Sequence, residues 1–286
     1  AHCVEKPIGR KINKGNGGGT LTKILVIGIA GRMGKTIAGC IEDTEGVELG
    51  GGTEQAGSPN LGKDVGEIIG IDKKGIAVSD DLGIALENCD VVIDFTTPES
   101  SLQTLNISAG KGKPVVVGTT GFSPDQRKEI EQSGQKIPCV VAPNMSIGVN
   151  VLFKLVAEAA RVLGDAYDVE IVEAHHRFKK DAPSGTAVRI AEIVAETLGR
   201  NLEEVGVYGR KGIAERSPKE IGIHTLRAGD IIGEHRVLFG GMGENFEVFH
   251  RAQSRETFAR GSIRAAQWIL GQPNGVYDMQ DVLGLR

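Results

Sequence analysis

The sequence predicts an α/β chain of two unlike units: a parallel-sheet unit first, then a central α+β unit with a mixed sheet. From Lys23 onward, short continuous apolar runs alternate with helix-length segments, the pattern of strands joined by crossover helices. After Asn144 the texture changes to a long amphipathic helix and then to alternating, strand-like runs joined by short glycine-containing links. With 286 residues, 40% of them hydrophobic, the chain has room for roughly two domains of ~100–200 residues each. The units are placed at 21–146 and 147–254, with 255–286 returning to the first.

The first strand is "KILVIG", followed by the turn "GIAGRMG" and a helix on which Met33, Ile37 and Ile41 share a face. Gly28, Gly31 and Gly34 sit where strand gives way to helix, so the backbone can approach a pyrophosphate and offer it the free N–H groups of the helix start. Ala30 stands where the usual fingerprint has its second glycine, and a chain with 41 glycines can make such a turn without any ligand. The acid Glu54, about 20 residues beyond Gly34 at the end of the next strand, favours dinucleotide binding, since a carboxylate there can accept from a ribose hydroxyl. "GVELGG", "DVVIDFT", "KPVVVGTT" and "PCVVAPN" are the further strands. The loops "GTTG" (118–121) and "APNMS" (142–146) follow strand C-termini, at the crest where open α/β sheets bind ligands. Ordinary strand exits use the same residues.

A helix from about Ile147 to Leu163 opens the second unit. Next comes "EAHHRFKKDAPSGTA" (173–187), which follows the apolar run 168–172 and reads as strand, loop and helix N-terminus, with Ala187, Ile190, Ala191, Val194 and Leu198 on one helix face. Adjacent strand residues point to opposite faces, so His175 and His176 are badly placed to chelate one ion, and no metal site is expected. Ser184 lies outside a G-x-S-x-G elbow, which argues against a serine hydrolase. Anion recognition remains. Ser184, Gly185 and Thr186 begin a helix whose N–H groups and dipole suit a carboxylate, Pro183 helps fix the approach, and Lys179 with a protonatable histidine adds charge and proton donors. A solvated basic loop with Ser184 or Thr186 as a simple cap is the plain alternative. "IGIHTLRAG", "GEHRVLFGG" and "ENFEVFHRA" supply the remaining strands, and an amphipathic helix over about 257–270 is expected to pack on the first unit. Ligands held by different units imply closure, with hinges near Ser146 and Arg255.

Composition narrows the function classes. A net charge of −4 and a pI near 5.9 exclude the basic footprint, with pI above about 9, that nucleic-acid binding wants. No run approaches the roughly 18 apolar residues of a membrane span. Cys3, Cys40, Cys89 and Cys139 are scattered without a CxxC pair, which fits a reducing cytoplasm better than a disulfide framework or zinc site. Residues 1–20 are basic and glycine-rich with no apolar core, and are expected to be a disordered extension or a cloning remnant, not a signal peptide.

Taken in order, "GIAGRMG", "DFTTPE", "VGTTG", "APNMSIGVN", "EAHHRFKKDAPSGTA" and "RAGDIIGEH" resemble the motifs of the 4-hydroxy-tetrahydrodipicolinate reductase family, also called dihydrodipicolinate reductase, over about Lys23 to Leu285. The resemblance implies an NAD(P)H-dependent enzyme of lysine and diaminopimelate biosynthesis, usually a homotetramer. It implies a Rossmann-like cofactor domain that includes the C-terminal segment, and a central substrate and assembly domain. It makes His175 the acid/base group and Lys179 a proton donor, acting as hydride reaches C4 of the substrate ring and the 4-hydroxyl leaves as water. His176, Gly185 and Thr186, beside Ser184, would bind a cyclic dicarboxylate. Gly28, Ile29, Ala30, Gly31, Arg32 and Met33 would hold the cofactor together with Glu54. So would Gly118, Thr119 and Thr120, and Ala142, Pro143, Asn144 and Met145. Both lines of reading agree, because a dicarboxylate needs local cations inside an acidic protein and imidazole suits general-acid work near neutrality. Relatives that favour the 2′-phosphorylated cofactor carry a basic residue after the ribose-binding acid, whereas here neutral Gln55 follows Glu54, so NADH-preferring or dual use is expected. Another NAD(P)-dependent oxidoreductase, such as a semialdehyde or amino-acid dehydrogenase, and a non-catalytic dinucleotide sensor are the rival readings; the sensor would not need "HHRFKKDAPSGT".

Overall fold

The computed structural model describes residues 21–286; the extension expected over residues 1–20 lies outside them. β1 (Thr22–Ile27) runs into the glycine turn and the helix Arg32–Glu42, and pairs in parallel with both β2 (Val47–Thr53) and β3 (Val91–Asp94). β4 (Val115–Val117) and β5 (Pro138–Val141) extend the sheet beyond β3, again in parallel. The helices Pro98–Lys111 and Pro124–Gly134 make the crossovers on one face; each starts with a proline in its first turn behind a Thr97 or Ser123 cap. Because helices cover both faces, the central strands are largely apolar, and β3, which ends in Asp94, and β4 are buried at every residue.

The helix Ile147–Leu163 begins at a Ser146 cap and stops at Gly164, over the span that the sequence predicts. It leads to β6 (Asp168–His175), the centre of a second sheet with β7 (Gly206–Tyr208), β8 (Ile221–Arg227), β9 (Gly233–Gly240) and β10 (Asn245–Ala252). The order is β10-β9-β6-β8-β7; β6, β7 and β8 are parallel, while β9 runs antiparallel to both of its neighbours. One face is covered by Ile147–Leu163 and by Gly185–Thr197, with Val156, Ile171, Ile190, Val194, Ile223 and Val237 in the core between them. The other face has no helix over it among the described residues. There Val172, His224, Arg236 and Phe249 form one row across the sheet, and Leu226 is half exposed.

The chain then returns to the first sheet. The helix Glu256–Ile269 packs on Arg32–Glu42 and on β3, β4 and β5, burying Ala259, Ile263, Ala266 and Ile269. β11 (Gly275–Tyr277) pairs in parallel with β5 and completes the order β11-β5-β4-β3-β1-β2. Gly261 permits the return: a side chain there would sit 1.8 Å from the carbonyl oxygen of Met145.

Candidate active site

A cleft of about 1230 Å³ opens at the crest of the parallel sheet, walled by the glycine turn, Glu54, Asp80–Asp81 and the start of Pro98–Lys111. Gly28 holds φ +65°, and a side chain at Gly34 would lie 2.2 Å from the Gly28 carbonyl oxygen, so both positions require glycine. Gly31 caps the helix with no side chain over its first N–H groups, which leaves them free for an anion. Glu54 Oε1 accepts from the Ala30 N–H at 2.8 Å, and the Ser58 hydroxyl reaches Oε2 at 3.4 Å. The acid thus holds the turn in shape while lining the cleft with Arg32 and Met33. The backbone fits a dinucleotide pyrophosphate.

A polar cluster lies at the far end of the covered face of the mixed sheet. Register explains it: His235 and Thr225 flank Glu173 across β9 and β8, and Arg227 lies opposite His175. Glu173 is fully buried. Its Oε2 lies 2.6 Å from His175 Nδ1, and Arg227 forks onto both oxygens at 2.8 and 2.9 Å. The Ser184 N–H and the Thr225 hydroxyl complete the shell on Oε1 at 2.9 and 3.2 Å. Burial alone would raise this carboxyl, but the hydrogen bonds from His175, Arg227 and Ser184 outweigh it and hold Glu173 at about 2. An ionised Glu173 makes His175 Nδ1 the protonated nitrogen, leaving Nε2 to take or give a proton on the side of Gly233.

His235 sets the other wall. Its ring meets that of His175 edge-on at 5.3 Å, and its Nε2 lies 3.1 Å from the Ser184 hydroxyl. Burial, then repulsion from His175, pushes His235 down to about 3. Between its ordinary 6.5 and 3 the unfolded chain binds a proton that the folded chain refuses, so stability should fall as pH drops through that window. Glu173 adds a fall of the same sign from 4.5 toward 2. Thermal melts across this range should show the loss, and His235→Asn should flatten its upper part; an unchanged pH slope in the variant would show that His235 is not its source.

Ser184 caps Gly185–Thr197 through the Ala187 N–H at 3.2 Å, and nothing crowds the position of a side chain on Gly185. Lys179 pairs with exposed Asp181 at 2.9 Å, and His176 keeps a buried Nδ1 with no partner among the described residues. The residues singled out in the sequence fall into two groups that meet at one contact: Asn144 Nδ2 donates to Thr186 Oγ1 at 3.1 Å. Several offer only backbone. The side chains of Ile29, Ala142 and Met145 belong to the core, and the Thr119 hydroxyl is taken by buried Ser101 at 2.8 Å. Gly118 is needed because a side chain would meet the Phe95 ring at 2.3 Å. Thr120 and Pro143 are exposed on the crest. Sequence reading missed Glu173, Arg227 and His235 as site residues; a Glu-x-His pair on one strand face was the available signal. Burial raises the thiols of Cys89 and Cys139 to about 11 and 12, so neither is a nucleophile near neutral pH. No helix among the described residues is long and apolar enough to cross a membrane.

Known proteins share both the sequence and the fold of this chain. The sequence model described as "Dihydrodipicolinate reductase, N-terminus" matches residues 22–145, and "Dihydrodipicolinate reductase, C-terminus" matches 148–283. A 4-hydroxy-tetrahydrodipicolinate reductase of Syntrophus aciditrophicus is 54% identical over 93% of this chain and 100% of its own. One of Syntrophobacter fumaroxidans is 53% identical over the same shares. The solved dipicolinate-bound dihydrodipicolinate reductase of Paenisporosarcina sp. TG-14 superimposes with a TM-score of 0.73 at 25% identity, covering 92% of this chain and 99% of that one.

Proposed function

From the premise that this chain belongs to the dihydrodipicolinate reductase family, we propose that its two site halves divide the work of one reduction. The chain is an NAD(P)H-dependent oxidoreductase of lysine and diaminopimelate biosynthesis that reduces 4-hydroxy-tetrahydrodipicolinate, a small dicarboxylate, with loss of water. The parallel-sheet unit, 21–146 with 255–286, holds the cofactor through Gly28–Met33, Glu54, Gly118–Thr120 and Ala142–Met145. The cofactor supplies the hydride. The central unit, 147–254, holds the substrate: the open N–H groups of Gly185 and Thr186 and the side chains of His176 and Thr186 bind carboxylate, while Ser184 and His235 keep that helix start in place. His175 Nε2, with Nδ1 fixed by Glu173, and Lys179 deliver the proton that accompanies reduction. The observation that carries this reading is the buried Glu173–His175 pair beside a helix N-terminus with uncommitted donors. Adding the protein to enzymatically generated substrate and following NADH absorbance tests it; no consumption above a protein-free control would end it.

The acidic end of the cleft favours NADH. Glu54, neutral Gln55, Asp80 and Asp81 line it, and a 2′-phosphate there meets like charge, while free ribose hydroxyls meet acceptors. Arg32 lines the same cleft and offsets part of the repulsion, so the expected range runs from NADH preference to dual use. The kcat/KM ratio for the two cofactors decides: an NADPH preference above about tenfold would contradict it, and Gln55→Arg should move the ratio toward NADPH.

The bare outer face of the mixed sheet, with Leu226 53% and Phe249 43% exposed, supports self-association into a homotetramer, which light scattering in solution tests. An acidic net charge and pathway chemistry support a cytoplasmic enzyme with no nucleic-acid or membrane partner; fractionation and nucleic-acid binding assays check this.

A further inference from the structure

We propose that Asn144 is a positioning residue for the substrate, orienting the Thr186 hydroxyl so that its proton points at a bound carboxylate. The inference rests on the assignment of the Gly185–Thr197 helix start as the carboxylate site. Asn144 itself lies on the other unit, in the loop that leaves β5 at the cofactor crest.

The amide of Asn144 has only one consistent orientation. Its Oδ1 accepts from the Ser146 N–H at 2.9 Å, and a backbone N–H can only donate. Nδ2 therefore faces Thr186, and the 3.1 Å contact makes Thr186 Oγ1 an acceptor. A hydroxyl that accepts from one side has its own hydrogen free for another partner. Thr186 sits in the first turn of its helix, where backbone N–H groups have no intrahelical acceptor. The Ser184 N–H is already committed to Glu173 and the Ala187 N–H to Ser184 Oγ. That leaves the Gly185 and Thr186 N–H groups and the Thr186 O–H as three donors, from two adjacent residues, with no acceptor among the described residues.

The loop that carries Asn144 is itself braced. Asn150 Nδ2 donates to the Asn144 carbonyl at 3.0 Å and to that of Ser146 at 2.8 Å, and Gln280 Nε2 in turn reaches Asn150. Ser146 Oγ lies 3.1 Å from Thr257 Oγ1, tying the same segment to the returning C-terminal helix. An amide presented by so constrained a backbone holds the Thr186 hydroxyl in one rotamer, which removes the need to order it on binding. The cofactor unit thereby shapes a substrate donor on the other unit.

The test measures dissociation constants for NADH and for pyridine-2,6-dicarboxylate added to the NADH complex, alongside KM and kcat, for Asn144→Asp, Asn144→Ala, Thr186→Val, Thr186→Ser and the Ala/Val double variant. Asp keeps the acceptor for Ser146 but turns the pair around, taking the Thr186 proton and adding charge. It should weaken the dicarboxylate by tenfold or more, with KM moving further than kcat. Ala should weaken it about three- to fivefold, read at saturating NADH because the same segment holds the cofactor, and should add nothing in the Thr186→Val background. Thr186→Ser should restore most of what Thr186→Val loses. Asn144 variants that weaken NADH but leave the dicarboxylate unchanged would overturn the proposal, as would additive losses in the double variant. If Asn144→Ala does not fold, the isosteric Asp variant with the Thr186 pair still decides. A wild-type protein that neither binds the dicarboxylate nor turns over would instead count against the carboxylate site on which the proposal stands.

Discussion

Alanine at His175 or at Lys179 should remove most of the turnover, on the order of 10²–10⁴-fold in kcat, while the protein still binds NADH. Neither residue borders the cleft around the glycine turn, so most of the NADH affinity should survive their loss. His175 is buried with Nδ1 fixed on Glu173, which leaves Nε2 as the only nitrogen able to exchange a proton with a ligand. Among the described residues the Lys179 ammonium is tied only to Asp181, a side chain 60% exposed, and such a pair holds its cation loosely. The ammonium is therefore free to turn toward a dicarboxylate, and removing it should barely change the melting temperature. Groups that act in the transition state lower kcat without a uniform loss of binding. Steady-state rates with fluorescence titration of NADH make the check, and normal turnover in both variants would remove them from the mechanism.

How far the sequence discloses this site depends on the range of the interaction. Local chemistry is legible. Ser146 as cap and Gly164 as stop bound the helix Ile147–Leu163, and the glycines at 28, 31 and 34 declare a turn that requires glycine at its two ends. Register is not legible. That His235 lies opposite Glu173, and Arg227 opposite His175, follows from how β8 and β9 pair with β6, a relation that no spacing in the chain encodes. β7 and β11 are three residues each, too short to show a period of two, and both were missed. The same limit hid the double duty of Glu54: its place after β2 was expected, but its bond to the Ala30 N–H appears only once turn and strand are folded together.

Glu173→Gln should be the most damaging single change at this site, and its signature should be a lost rate together with a flatter loss of stability in acid. Five donors converge on the two oxygens of Glu173, and Arg227, which can only donate, meets both of them, so an amide would turn its NH₂ toward that guanidinium and would leave it without its counter-charge. Breaking a buried pair by removing one partner costs about 3–5 kcal/mol, visible as a large fall in melting temperature. Because the hydrogen bonds from His175, Arg227 and Ser184 hold the carboxyl at about 2, the share of the acid loss of stability that Glu173 contributes from 4.5 toward 2 should vanish in the amide. With Nδ1 no longer held against an anion, His175 loses the partner that keeps Nε2 aimed at a ligand, so kcat should fall further than the folded fraction does. Steady-state rates corrected for folded protein, beside melts taken in acid, check both effects. Wild-type kcat per folded molecule would confine Glu173 to holding the fold.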